Sequence, residues 1–348
     1  MDSKSQISWI DARDLMAETK SQAPTRFAVV VPAYDASDTL ADCIQAILNS
    51  TRKPGEIIVF HDGLTDTIGQ IERLPGVSVI SNCGPPVGPA KARNAAAKKA
   101  HAPLLAFVDA DVLVAKDAFE HLLTELESDP GIWAVFGSYD QHPRVKRRAA
   151  VYANLRHHWV HQNGEREAAT FWTGIGVVRT DAFWSIGGFD EESGVEDIDL
   201  GARLKHAGGR IRLVPEALGT HCKDWRVLQL WQTDVFRRAI PWARLLASGR
   251  GFDGHLNSAS AERLSAMMAY LCLFTALGSF YSRWSDVALV VCISGYIYLN
   301  RGLFLLVLRR GGVMAALSAV MLHWVYHLYA SGIFGWILIS DKVRSVFR

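Results

Sequence analysis

Apolar residues are spread so unevenly along this chain that two kinds of structure are expected. Up to about Asn257 charges are dense and apolar residues come in short bursts. Leu264 to Ser340, by contrast, is mostly apolar, with only a few ionisable side chains such as Arg283, Asp286, Arg301, Arg309 and Arg310. Length agrees, because 348 residues exceed what one hydrophobic core usually organises. The formal net charge of +2 is thus an average over two unlike halves. Leu264–Tyr281 has the roughly 17 to 25 residues a membrane-crossing helix needs and is expected to span. Val287–Leu299 is shorter, but Trp284 and Tyr298 can anchor its ends at an interface. Gly302–Leu308 then lies in the interface, and Val313–Ile339 is a third apolar stretch, so residues 261–340 should hold two to three spans. Arg263 and the Arg309-Arg310 pair place the ends of the first two spans on the cytoplasmic side. The tail, residues 341–348, carries Lys342, Arg344 and Arg348 and asks for the same side, which a third full crossing cannot give. The third stretch is therefore either re-entrant or followed by an external tail.

Met1 to Thr25 is polar, without the apolar core of a secretory signal, so the charged part of the chain should stay cytoplasmic. The five cysteines, Cys43, Cys83, Cys222, Cys272 and Cys292, form no C-x-x-C pair and suit no disulfide framework. No basic run with interleaved aromatics points to nucleic acid. The small cluster Arg144, Lys146, Arg147 and Arg148 reads either as a solvated face or as a contact for anionic lipid head groups. Residues 226–260 read as an interfacial helix and a linker. Trp225, Leu228, Trp231, Val235 and Phe236, interleaved with Arg226, Arg237 and Arg238, make a face suited either to a membrane surface or to packing on the preceding domain. Gly249 to Ser260 is the linker.

Within residues 26–225, apolar or β-branched runs at Phe27–Val31, Glu56–Phe60, Val77–Ile80, Leu104–Val108 and Ile132–Phe136 alternate with helical patterns near Asp38–Asn49, Pro89–Ala100 and Asp117–Glu127. This is the rhythm of βαβ units around a mostly parallel sheet. Thr170–Val178 reads as a further strand, Asp197–Ala207 as a helix stopped by Gly208-Gly209, and Arg210–Val214 as a strand closed by Pro215. Ligands of such sheets sit at the carboxyl ends of the strands, where Pro32-Ala33-Tyr34-Asp35, His61-Asp62-Gly63 and Asp109-Ala110-Asp111 all fall.

Asp109 and Asp111, two apart on extended chain, can converge on one divalent cation and a diphosphate. The bare pattern is weak, since Asp197-Ile198-Asp199 repeats it; its place after a buried-looking strand is what raises it. Glu196-Asp197 opens a helix, where acidic side chains favour the dipole or, alternatively, supply a general base. His221 follows a strand and can add a metal ligand. The pairs His157/His161 and His323/His327 have helical i,i+4 spacing, but neither carries a glutamate or third ligand in sequence, so both read as structural.

Taken in order, Val29–Asp35, Ile57–Asp66, Gly88–Asn94, Phe107–Asp111, Gly187–Asp190 and Glu196–Leu200 resemble the motifs of family 2 glycosyltransferases. The resemblance covers about residues 26 to 225 and implies a GT-A, Rossmann-like nucleotide-sugar domain followed by an α-helical membrane region. It implies inverting transfer with Asp109 and Asp111 on a divalent metal, Mg2+ or Mn2+, and on the diphosphate. His221 would complete the metal site. Asp197 would be the base, with Glu196 beside it. Pro32, Ala33, Tyr34, Asp62 and Arg93 would border the nucleoside, and Trp225 and Gly174 the acceptor cleft. Two departures stand out. His61 occupies a position where members commonly carry a carboxylate, and the Q-x-x-R-W of processive synthases is missing after Gln232. A single sugar addition to a lipid or lipid-linked acceptor at the cytoplasmic membrane face is therefore expected. A polyprenyl-phosphate acceptor is the alternative. A transporter or non-catalytic scaffold is less expected, because it has no need of Asp109, Asp111, Asp197 and His221 together.

Overall fold

The first apolar burst becomes β1 (Phe27–Ala33), whose side chains are buried on both faces. Phe27, Val29, Val31 and Ala33 join one core layer and Ala28 and Val30 the other. A strand covered on both faces has no polar side to show, which is why its sequence reads as a continuous apolar run. The computed structural model describes residues 26–34, 37–63, 68–251 and 260–346. The N-terminal segment Met1–Thr25, Asp35, Leu64 to Asp66, most of the Gly249–Ser260 linker and Arg348 lie outside the described residues, as do the side chains of Lys342 and Arg344.

After β1 come α1 (Ser37–Leu48), β2 (Glu56–His61), α2 (Ile68–Ile71), β3 (Val77–Ser81), α3 (Pro89–Ala97) and β4 (Leu104–Val108). The four strands pair in parallel in the order β3-β2-β1-β4. The chain continues through β5 (Val112–Val114), α4 (Ala118–Ser128), β6 (Ile132–Tyr139), α5 (Arg148–Asn163), β7 (Glu167–Ala168), β8 (Ile175–Arg179), α6 (Thr180–Ser185), α7 (Glu196–His206) and β9 (Arg210–His221). The sheet extends as β4-β8-β6-β9-β5, with β7 also on β9. β8 runs antiparallel to both neighbours, while β6 and β9 are parallel.

Two expected strands are corrected. Thr170–Val178 begins later, at Ile175, and is antiparallel. Arg210–Val214 does not end at Pro215: β9 runs on to His221. Its pairing with β6 slips between Phe136↔Leu213 and Ser138↔Leu218, and Pro215 lies in that irregularity, where a residue without an N–H costs the ladder nothing. The extension matters, because it lets β9 pair antiparallel with β5 and sets His221 opposite Val112.

The helical region comprises α8 (Val227–Gln232), a π-helical segment (Thr233–Ala239), α9 (Ile240–Ala247), α10 (Ser260–Gly278), α11 (Arg283–Leu299), α12 (Arg301–Gly311) and α13 (Val313–Val346). Among the described residues, one helix is long and apolar enough to cross a membrane on its own: Val313–Ser340 of α13, with mean hydropathy 1.4. Leu264–Tyr281, expected as the clearest span, is helical only to Gly278, as part of α10, and does not meet that standard. α11 and α12 meet it only as a pair bent by 71°, so Gly302–Leu308 leaves the direction of Val287–Leu299. α5 is shared by both regions. Ala149, Val151, Tyr152 and Leu155 pack with Trp225, Leu303, Phe304 and Val307 in one buried cluster.

Candidate active site

The carboxyl ends of β1, β2 and β4 converge, and each contributes the loop read from the sequence. Pro32 and Ala33 close β1 in register with Phe60 and His61. Tyr34 follows and is exposed beside Gly63. Asp62 is buried, and its N–H donates to Ala33 O. Its carboxylate accepts from Asn82 Nδ2 at 2.8 Å and from the N–H groups of Val87 and Gly88 at 2.9 Å. Burial works against ionisation there, but these three donors hold the acid below its ordinary pKa. Asp62 thus organises the loop that leads into α3.

α3 starts at Pro89 after Gly88, whose φ of 87° is a left-handed conformation that favours glycine. One helical turn further on, Arg93 is buried and its guanidinium forks: one nitrogen donates to Asp109 Oδ1 and the other to Glu196 Oε1, each at 2.6 Å. Desolvation opposes its charge, but the two carboxylates more than offset that and raise its pKa. Arg93 therefore joins the end of β4 to the start of α7, reaching a partner 103 positions further along the sequence. Its neighbour Asn94 clamps the Gly187–Asp190 loop, exchanging hydrogen bonds with the backbone of Phe189 at 2.9 and 3.0 Å. Asn94 lies inside the Gly88–Asn94 motif, where an amide within a helix offers no local signal for a partner ninety-five positions away.

Asp109-Ala110-Asp111 is fixed from behind by α1, where Thr39 Oγ1 donates to Ala110 O at 2.9 Å and Cys43 lies against Asp109 O. Asp111 Oδ2 is 3.6 Å from His221 Nε2. Burial would raise the Asp111 acid, yet the imidazole and Lys223 keep it below the usual carboxylate range. The His221 ring stacks on Tyr139 at 4.4 Å between centroids, and Tyr139 in turn contacts His157 and Trp172. His157 and His161 belong to this aromatic packing, as their structural reading anticipated. Gly174 passes beneath Trp172, and any Cβ there would run into the indole ring.

Asp197 lies in the first turn of α7 and is partly buried beside Glu196. Desolvation and the Glu196 charge raise its pKa to about 7, against the opposing pull of Arg93. The second D-x-D divides by role. Asp199 is fully buried and pairs with Arg203 at 2.6 Å, so it serves the helix.

Trp225 is buried at the junction with the helical region, with Lys223 Nζ over its ring at 4.5 Å. It borders a cavity of about 420 Å³ with Lys223, Gln229, Gln232, Phe236 and Arg237. The face suited either to a membrane surface or to packing on the preceding domain is divided between the two: Trp225 and Val235 are buried, whereas Leu228, Trp231 and Phe236 are exposed.

Asp109, Asp111 and His221 offer the carboxylate and imidazole donors that Mg2+ or Mn2+ accepts. They are less tightly gathered than Glu262, His323 and His327, the three side chains that, among the described residues, bring ligand atoms within 4.8 Å of one another. Residues 28–187 match the Glycosyl transferase family 2 profile, and residues 155–223 match the N-terminal domain of galactosyltransferase. The chain is a glycosyltransferase, and residues 28–187 carry its likeness to family 2. This glycosyltransferase is 26% identical over 246 residues to the O-antigen chain rhamnosyltransferase RfbN of Salmonella typhimurium, covering 66% of this chain and 78% of that one. It is 23% identical to the poly-beta-1,6-N-acetyl-D-glucosamine synthase of Staphylococcus aureus, over 62% of this chain and 53% of the relative, so it spans about half of that protein. In fold it resembles the mannosyltransferase PcManGT from Pyrobaculum calidifontis, solved with GDP-Man and Mn2+, with a TM-score of 0.54 and 18% identity over 93% of this chain and 92% of that one.

Proposed function

We propose that this glycosyltransferase moves one sugar from a nucleotide-sugar donor to a hydroxyl of a lipid or lipid-linked acceptor, with inversion, at the cytoplasmic face of a membrane. The observation that carries the reading is the Arg93 fork. It holds Asp109, at the diphosphate end of the sheet, and Glu196, next to Asp197, in one rigid unit. A donor seated over β1, β2 and β4 would thereby present its anomeric carbon to an acceptor activated from the α7 side. The acceptor oxygen forms the new bond to that carbon as the bond to the diphosphate breaks, and its proton passes to Asp197. A carboxylate whose pKa is raised toward neutrality suits that role, because near neutral pH a sizeable fraction is deprotonated and is more basic than an ordinary carboxylate.

Asp109, Asp111 and His221 would hold a divalent ion, which when bound supplies positive charge to the departing diphosphate. The likeness to PcManGT, solved with Mn2+, supports metal dependence. A lipid acceptor is supported by the position of the site. His221 closes β9, Trp225 enters the cluster shared with the helical region, and α13 offers an apolar exterior including Leu317, Met321, Trp336 and Ile339. The test is to incubate membranes containing the protein with a panel of labelled nucleotide sugars. Label should enter the lipid extract with one donor and stop on chelation of divalent metal. Label confined to water-soluble product would overturn the acceptor assignment, and insensitivity to chelator the metal assignment.

A further inference from the structure

The helical region encloses a polar cluster where its sequence promises only apolar packing. His323 and His327 lie one turn apart on α13 and are both buried. Their spacing alone lacked a third ligand, and the fold supplies one: Glu262 of α10, whose Oε2 is 3.2 Å from His327 Nε2. Asn300, between α11 and α12, places Oδ1 3.1 Å from His323 Nε2. Both histidines therefore turn Nε2 toward the same small volume. The other ring nitrogens are held as well: Tyr152 Oη lies 3.0 Å from His323 Nδ1, and Tyr296 Oη 2.9 Å from His327 Nδ1.

We propose that Glu262, His323 and His327 bind a Zn2+ ion that staples α10 to α13. Two imidazoles and a carboxylate are a zinc donor set, with a fourth position left for Asn300 Oδ1 or water. The arrangement also has the outer support that metal-bound histidines need. With Nε2 on the ion, each Nδ1–H donates to a tyrosine oxygen already in place, which fixes tautomer and ring orientation. Ionisable groups amid an apolar helical region are expensive unless paired, and an ion shared by three of them is a physical reason for their presence there. Because Tyr152 belongs to α5, the staple also braces the helical region against the domain that carries Tyr139, His157 and the Asp111–His221 pair.

The full chain, purified in detergent, loaded with Zn2+ and desalted against a weak chelator, should retain one zinc per chain by elemental analysis. Asp111→Asn should retain it too, which separates this site from the one proposed at β4. Glu262→Gln and the His323→Gln/His327→Gln double variant should lose it, and Tyr296→Phe should weaken zinc affinity by about 10- to 100-fold, as expected for an outer-shell partner. Cobalt-loaded wild type, which needs no variant to fold, should show the visible absorption of a four-coordinate site. Wild type that holds no stoichiometric zinc and shows no such spectrum would overturn the proposal. Zinc content unchanged in Glu262→Gln and in the double histidine variant would do the same.

Discussion

Arg93 shows how much one residue organises. A guanidinium has donors spread in a fixed fork and can serve two carboxylates at once, whereas an ammonium is a single point charge. Arg93→Lys should therefore keep one of the contacts to Asp109 and Glu196, lose the other, and cut activity while leaving most of the fold intact; activity equal to wild type would show that the fork is not needed. Asp197 is the other group on which the proposed chemistry turns. Asp197→Asn, nearly isosteric, should preserve donor binding and lower turnover by roughly a hundredfold or more, the usual worth of a general base. Because burial and Glu196 raise its acid to about 7, the proton is held up to neutral pH and released above it. The wild-type rate should climb as pH rises through about 7, and that limb should vanish from the pH profile of the asparagine variant. A profile flat across neutrality in wild type would reassign the base.

At the scale of elements, the site depends on close approaches that leave no room for side chains. Gly174 sits under the Trp172 indole immediately before β8, and its carbonyl accepts from Asp109 N–H. Gly174→Ala should force the indole or the strand end to move, costing about 1 to 3 kcal/mol as overpacking does. The measurement is thermal unfolding alongside activity, and because the Gly174 carbonyl holds the Asp109 N–H, activity should fall together with stability. β9 illustrates the same dependence on geometry. Its irregularity at Pro215 permits the strand to reach β5, and only that pairing brings His221 to Asp111.

For the whole molecule, the question is whether the C-terminal helices are a tether or part of the structure. Tyr152 and Leu155 of α5, together with Trp225 and Leu230, are buried against Ala269, Leu303, Phe304 and Val307. A chain truncated near residue 257 would expose that surface to water at about 25 cal/mol per Å² of apolar area. It should unfold at lower temperature than the full chain, aggregate more readily, and fail to glycosylate lipid even where it still binds nucleotide. A truncated protein as stable and as active on lipid as the full chain would reduce the helices to an anchor.

Local pattern determined a good deal of this. The strands of the parallel half were legible because sheets buried on both faces demand unbroken apolar runs, as in Phe27–Val31 and Leu104–Val108. The polar loops that follow them were legible because such sheets bind ligands at their carboxyl ends. Asp109 and Asp111 fall in such a loop, whereas Glu196, Asp197 and His221 were singled out chiefly by the resemblance to family 2 glycosyltransferases. What pattern could not supply was anything decided by partners distant in sequence. The Arg93 fork, the Asn94 clamp on Phe189, the antiparallel insertion of β8, the passage of β9 through Pro215 and the meeting of Glu262 with His323 and His327 all join segments far apart along the chain. Local propensity and periodicity carry no information about such pairs; only the packing of the whole fold brings their atoms together.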